Sequence, residues 1–153
     1  MRLPLLAMLL LWPIGAAART SEMLVADYCV AVQKSDEAAA VAMMAPALQE
    51  AVAAARRAND QFAADHPDEK PPLGDGLRLS AFPDVPESCL PEAIDESSVT
   101  IEYRPLGSAE GAWRDRLILV PDGAGGVQIG DIEFGLSDAD TLSLWLSQAA
   151  EAE

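Results

Sequence analysis

Apolar residues recur at three- and four-residue steps through the first half of this chain and at two-residue steps through much of the second. After Ser21-Glu22, the residues Met23, Leu24, Tyr28 and Val32 follow with near-helical spacing, and Cys29 sits beside them. Ser21 is placed to cap the free amides of that first turn. A second helix start stands at Ser35-Asp36-Glu37, where two carboxylates favour the positive end of the helix dipole. From there Val41, Met44, Leu48, Val52, Ala55 and Phe62 form one apolar stripe on a long helix. Pro46 falls inside the stripe and is expected to kink the helix or divide it in two. His66-Pro67 ends it, because the residue before a proline disfavours helical backbone. The region 21–65 is therefore expected to be helical.

Residues 67–76 are rich in Pro, Gly and charge and read as a connector. The stretch from Gly76 to Phe82 alternates weakly, and three prolines (Pro83, Pro86, Pro91) punctuate the surroundings of Cys89. Three strands are then legible, at Val99–Tyr103, Arg114–Val120 and Val127–Phe134. The turn-rich Pro121–Gly126 makes a hairpin of the last two. Its cluster Gly123-Ala124-Gly125-Gly126 leads into a strand and not a helix, so it is a turn and not a phosphate cradle. Ser137-Asp138 is expected to cap a final helix over 138–150, with Leu142, Trp145 and Leu146 on one side. Helices followed by a meander of strands predict an α+β fold. In it, N-terminal helices pack on a curved antiparallel sheet within 77–135, the Val41–Phe62 helix covers the sheet's apolar face, and a short C-terminal helix follows.

The first residues carry a different pattern. Met1-Arg2 is a short positive start, Leu3 to Trp12 is an apolar run of ten residues, and Pro13 and Gly15 break it before Ala16-Ala17-Ala18. The run is too short to cross a bilayer, which takes about 20 apolar residues, and it has the order of a cleavable secretory signal. Cleavage between Ala18 and Arg19 leaves residues 19–153 as one domain, without an acylatable cysteine at the cut and with no later stretch of membrane-spanning length. That address is periplasmic or secreted and soluble after cleavage. It also bears on Cys29 and Cys89, the only two cysteines. In an oxidising space an even count reads as one disulfide, and closing a loop of about 60 residues stabilises by ~4 kcal/mol.

Charge narrows the partners. With 25 Asp+Glu against 10 Lys+Arg the chain carries a net −15. Nucleic acid and anionic lipid surfaces both require Lys/Arg clusters that this composition lacks. Two readings fit it: solubility through self-repulsion, and an acidic face meeting a basic envelope protein.

Candidate chemistry is sparse. His66 is the sole histidine, and two bridged cysteines cannot complete a metal site with it; at a helix end it serves the last carbonyls. Asp65, Asp68, Glu69 and Asp75 make an acidic loop without the alternating ligands of a calcium loop. No metal or cofactor is expected. Trp113 opens a strand beside Arg114 and Arg116, and the three are the candidate partner surface: Trp113 as an exposed anchor, the arginines as an anion rim or as partners of nearby carboxylates.

The segment Val127-Gln128-Ile129-Gly130-Asp131-Ile132-Glu133-Phe134 resembles the final strand of the nuclear-transport-factor-like, cystatin-like cone fold. Ile129, Asp131 and Ile132 match the pattern of its secreted bacterial members as written, Val127 stands in place of their usual Trp, and Phe134 in place of Tyr. The resemblance implies a cone whose cavity takes a small apolar ligand, with Asp131 and Tyr103 as the candidate pocket residues and isomerase- or dehydratase-like chemistry as one outcome. The superfamily also contains inhibitors and scaffolds, so its fold does not select among functions. Two readings follow: a non-catalytic binding, inhibitory or immunity-type module with an acidic surface, or a pocket protein.

Overall fold

The computed structural model describes residues 18–74, 76–107 and 111–151. The chain runs α1 (Ser21–Gln33), α2 (Glu37–Ala42), α3 (Pro46–Asp65), β1 (Ser88–Ile94), β2 (Ser98–Arg104), β3 (Trp113–Pro121), β4 (Val127–Glu133), a 3-10 turn (Phe134–Leu136) and α4 (Leu142–Ala150). The strands form an open antiparallel sheet in the order β1-β2-β3-β4. The α+β arrangement of leading helices, antiparallel sheet and short closing helix is thus the one present. Residues 1–17 of the signal-like stretch, and Asp75 of the acidic loop, lie outside the described residues.

Local chemistry sets each boundary, in places one or several residues from where the pattern put it. Thr20, not Ser21, caps α1: its backbone is still extended, so its hydroxyl can accept the Met23 N–H at 3.3 Å, whereas Ser21 is already helical. Asp36 caps α2 by accepting from Ala39 N at 3.0 Å. Pro46 divides the long helix and opens α3 as its first residue, where a missing N–H leaves nothing unsatisfied. Met44, in the break, is buried and bridges to Ile129 of β4. The final helix starts at Leu142 with Thr141 as its cap and not at Ser137-Asp138, because Gly135 and Leu136 both take positive φ and turn the chain first.

The layer over the sheet also differs from expectation. It is α1 that lies across the strands, burying Leu24, Val25, Tyr28 and Cys29, while Met23 stays half exposed. The Val41–Phe62 stripe does not act as one helix; α3 buries only Leu48, Val52 and Ala55 and packs chiefly along α4. The break at residues 43–45 redirects it.

Two strand features were hidden by local signals. β1 pairs with β2 despite containing Pro91, and the sheet therefore begins at Ser88 and not at residue 77. Proline is tolerated there because β1 is an edge strand with a bulge between Pro91 and Ala93. In β4 a second irregularity, between the partners of Ile118 and Leu119, makes Gly130 the extra residue. A Cβ at Gly130 would meet Val120 Cγ1 at 2.8 Å. This bulge puts Ile129 and Ile132, three apart, both into the core.

Cys29 and Cys89 are bridged, with their Cα atoms 5.4 Å apart, tying α1 to β1 across 60 residues. Replacing both by alanine is expected to lower unfolding stability by up to ~4 kcal/mol, the loop-closure term for this separation. Denaturant midpoints of the oxidised protein and the double variant check this. Equal midpoints would show that the bridge contributes nothing to the fold.

Candidate functional site

The inner face of the sheet carries a cluster that the helical and strand patterns do not announce. On β3, Trp113, Asp115, Leu117 and Leu119 all point inward and all are buried. Asp115 is completely inaccessible to solvent. Its two carboxylate oxygens accept backbone N–H groups from Ala81 and Gly135, each at 2.9 Å. Burial pushes the Asp115 carboxyl above its ordinary range, while the two N–H donors and the neighbouring Arg78 act in the opposite sense and Asp140 adds to the rise.

Around Asp115 stand two phenols. Tyr28 of α1 donates its hydroxyl to the Leu79 carbonyl. Tyr103 of β2 lies beside it, stacked on Trp113 at 5.5 Å, and its own hydroxyl has no well-formed hydrogen bond. Desolvation raises both phenols far above their ordinary range; Asp115 adds to the rise at Tyr28, and Tyr28 followed by Asp115 adds to it at Tyr103. Phe82 leans on Trp113 at 5.1 Å and closes this end of the core. The strap of residues 77–87 is clamped from outside by Arg78, which grips Asp140 through two 2.9 Å bonds and lies 4.0 Å above the Phe134 ring.

A surface cleft of about 730 Å³ lies beyond this strap, lined among others by Val32, Glu37, Leu77, Phe82 and Trp145. Glu37, one of its lining carboxylates, is already engaged by Leu77 N at 3.0 Å and Arg56 at 2.9 Å. Asp115 is not part of its lining. Sealed under the strap with both oxygens facing backbone amides, Asp115 is held as a structural acceptor.

The residues singled out from sequence are scattered by the fold. Tyr103 is wholly buried on the inner face. Asp131 is elsewhere: it pairs in register with Ile118, across the sheet from the Ile129 face, because of the bulge at Gly130. Its carboxylate accepts from Ile132 N, Ser143 N and Ser143 Oγ, fastening β4 to the start of α4. Trp113 is 8% exposed and is a core residue, not an exposed anchor; the alternation that marks a strand also turns it inward. Arg114 and Arg116 occupy the opposite, helix-free face. Arg114 bridges Glu92 at 2.6 Å and Glu102 at 2.8 Å, and Arg116 holds Glu133 at 2.7 Å, so both are paired with carboxylates. His66 follows α3, stacked on Phe62 at 4.6 Å. Among the described residues no three His, Cys, Asp or Glu side chains converge to hold a metal. The glycine turn is a turn: Asp122 accepts from Ala124 N and Gly126 N, both at 2.8 Å. Arg19, at the expected cut, accepts from Val127 N at 3.0 Å.

Asp115 was legible in one respect only, as a charge in phase with apolar Leu117 and Leu119. Nothing local marks Arg78 and Asp140, which meet across 62 residues.

Asp115→Asn offers one acceptor where two are used, leaving a buried N–H unpaired, and is expected to lower stability at neutral pH by about 1–3 kcal/mol. An unchanged melting midpoint would refute the acceptor role. The pH signs oppose one another. Asp115 sits above its ordinary 3.8, so its contribution is complete below that pH and fades as pH rises through the raised value. Asp95, held low by Ser97 N–H and then Ser98, and Asp122, held low by Ala124 and Gly126 N–H, contribute above 3.8 and lose this as pH falls through their depressed values. Carboxyl NMR titration should show Asp115 inflecting above 3.8 and the other two below it; Asp115 inflecting with them would overturn the assignment.

Comparison with known proteins finds no matching family model, no matching curated protein and no matching solved structure, so the functional reading rests on the chain's own geometry and charge.

Proposed function

We propose that this protein is a non-catalytic binding module of the bacterial envelope, inhibitory or immunity-type in character, that engages a basic protein through its acidic surface. The observation that carries the reading is how the arginines are used. Arg19, Arg56, Arg78, Arg104, Arg114 and Arg116 each already pair with a carboxylate of the same chain. With 25 carboxylates against 10 cations, the excess negative charge is left for something else to neutralise. The inner sheet face supports the same reading, since Tyr28, Tyr103, Trp113 and Phe134 fill it. The Cys29–Cys89 bridge and the signal-like first 18 residues support export to an oxidising compartment. No described helix is long and apolar enough to cross a membrane.

The protein immobilised and exposed to periplasmic extract should retain proteins of high pI at low ionic strength and release them in high salt. The Debye length falls from about 30 Å at 0.01 M to about 3 Å at 1 M. Absence of retained basic proteins, or retention indifferent to salt, would sink the proposal.

One observation favours the pocket reading, in which a small apolar ligand enters a cone-like interior. Among the described residues the Tyr103 hydroxyl and the Trp113 indole N–H are both buried without a well-formed hydrogen bond, and a carbonyl-bearing ligand would supply an acceptor. A Trp145→Phe variant leaves Trp113 as the reporter in the domain. Saturable quenching by small apolar ketones, lost on Tyr103→Phe, is the expected result of that reading; the absence of quenching across the series would rule it out.

A further inference from the structure

The two edges of the sheet are treated differently by the rest of the chain. The β4 edge is closed: Val127 N bonds to Arg19 O, Ile129 N to Met43 O, Ala45 N to Ile129 O and Phe134 N to Asp140 O, all between 2.7 and 3.0 Å. On the β1 edge, among the described residues, no backbone group outside β2 bonds to Ser88–Ile94. From Leu90 onward every residue of β1 is exposed on both faces, because the helical layer ends above Cys89.

Charge follows the same line. Between Leu79 and Tyr103 there is no Lys, Arg or His, and there are six carboxylates: Asp84, Glu87, Glu92, Asp95, Glu96 and Glu102. Arg114 from β3 answers only Glu92 and Glu102. Exposed apolar side chains interrupt the acidic ones, with Phe82 at 53%, Val85 and Leu90 at 52% and Ile94 at 42%. Resting on the binding-module reading above, we propose that the β1 edge is where its partner docks, and that the occupant is an extended segment of a cationic protein in which basic and apolar side chains alternate.

The shape of the edge selects against the other occupants. A second copy would bring the same carboxylates face to face. Pro91 lacks an N–H and the bulge at Glu92 breaks the ladder, so an endless stack of strands cannot grow from this edge. A short partner strand held mainly by its Lys or Arg side chains and by contact with Leu90 is compatible with both features.

The test uses the full oxidised domain, isotope-labelled, with three synthetic peptides: one alternating Lys and Val, one alternating Glu and Val, and oligolysine. The Lys/Val peptide should shift the amides of Ser88–Ile94 and bind more tightly than oligolysine, while the Glu/Val peptide should not bind. An Asp84→Lys/Glu96→Lys variant should weaken it by about tenfold or more, whereas Asp60→Lys/Asp65→Lys on α3, with the same charge change, should leave affinity nearly unchanged. Shifts spread over α3, or equal losses in the two variants, would overturn the β1 edge and leave the charge-driven reading standing. No binding of any basic peptide at low ionic strength would overturn both.

Discussion

Residues 77–86 lie in neither a strand nor a helix, yet they close one end of the core, and side chains serve their backbone instead, with the buried carboxylate of Asp115 the one that ties them to the sheet. It reaches from the middle of β3 to an amide in the strap (Ala81) and an amide in the turn after β4 (Gly135), both 2.9 Å away. A buried polar group left unpaired costs about 1–3 kcal/mol, so one side chain that serves two amides removes two such penalties. The strap then carries Leu79 to Tyr28 and Phe82 to Trp113, and Arg78 to Asp140 and Phe134. The aromatic core, the strap and the entry to α4 thus depend on one carboxylate that solvent never reaches.

The same economy governs the surface. Six arginines are bound internally, several to carboxylates on the helix-free face of the sheet, where Glu92, Arg114, Glu102 and Arg104 run as a connected row. Exposed pairs of this kind contribute little stability individually. Their larger effect is on the distribution of charge: these six cations are engaged, and the carboxylates outside the pairs outnumber the remaining cations. Among the described residues, the β1 edge and its acidic flanks are where surplus charge, exposed apolar side chains and backbone groups without a partner coincide.

Much of the fold was legible. Helical spacing marked α1 and the α3 stripe, Pro46 marked the break, and the β2–β4 alternation marked three strands and their last hairpin. The misses have specific causes. β1 was hidden because proline argues against a strand unless the strand is known to be at an edge, and edge position is a property of the assembled sheet. Unbroken alternation puts Asp131 in phase with Ile129, and the bulge at Gly130 moves it to the other face. Trp113 read as an anchor because a strand start beside arginines does not reveal which face will be covered.

What the sequence determined by itself is what depends on neighbours a few residues apart: the helical and strand periods, the caps to within a residue or several, the signal-like start, the net charge of −15 and a cysteine pair suited to bridging. Tertiary structure alone decided which helix covers the sheet, that Asp115 serves two distant amides, that Arg78 and Asp140 clamp the strap, and that the chain seals the β4 edge of the sheet. These depend on contacts between residues tens of positions apart, and no local period records which of the compatible partners the chain will bring together.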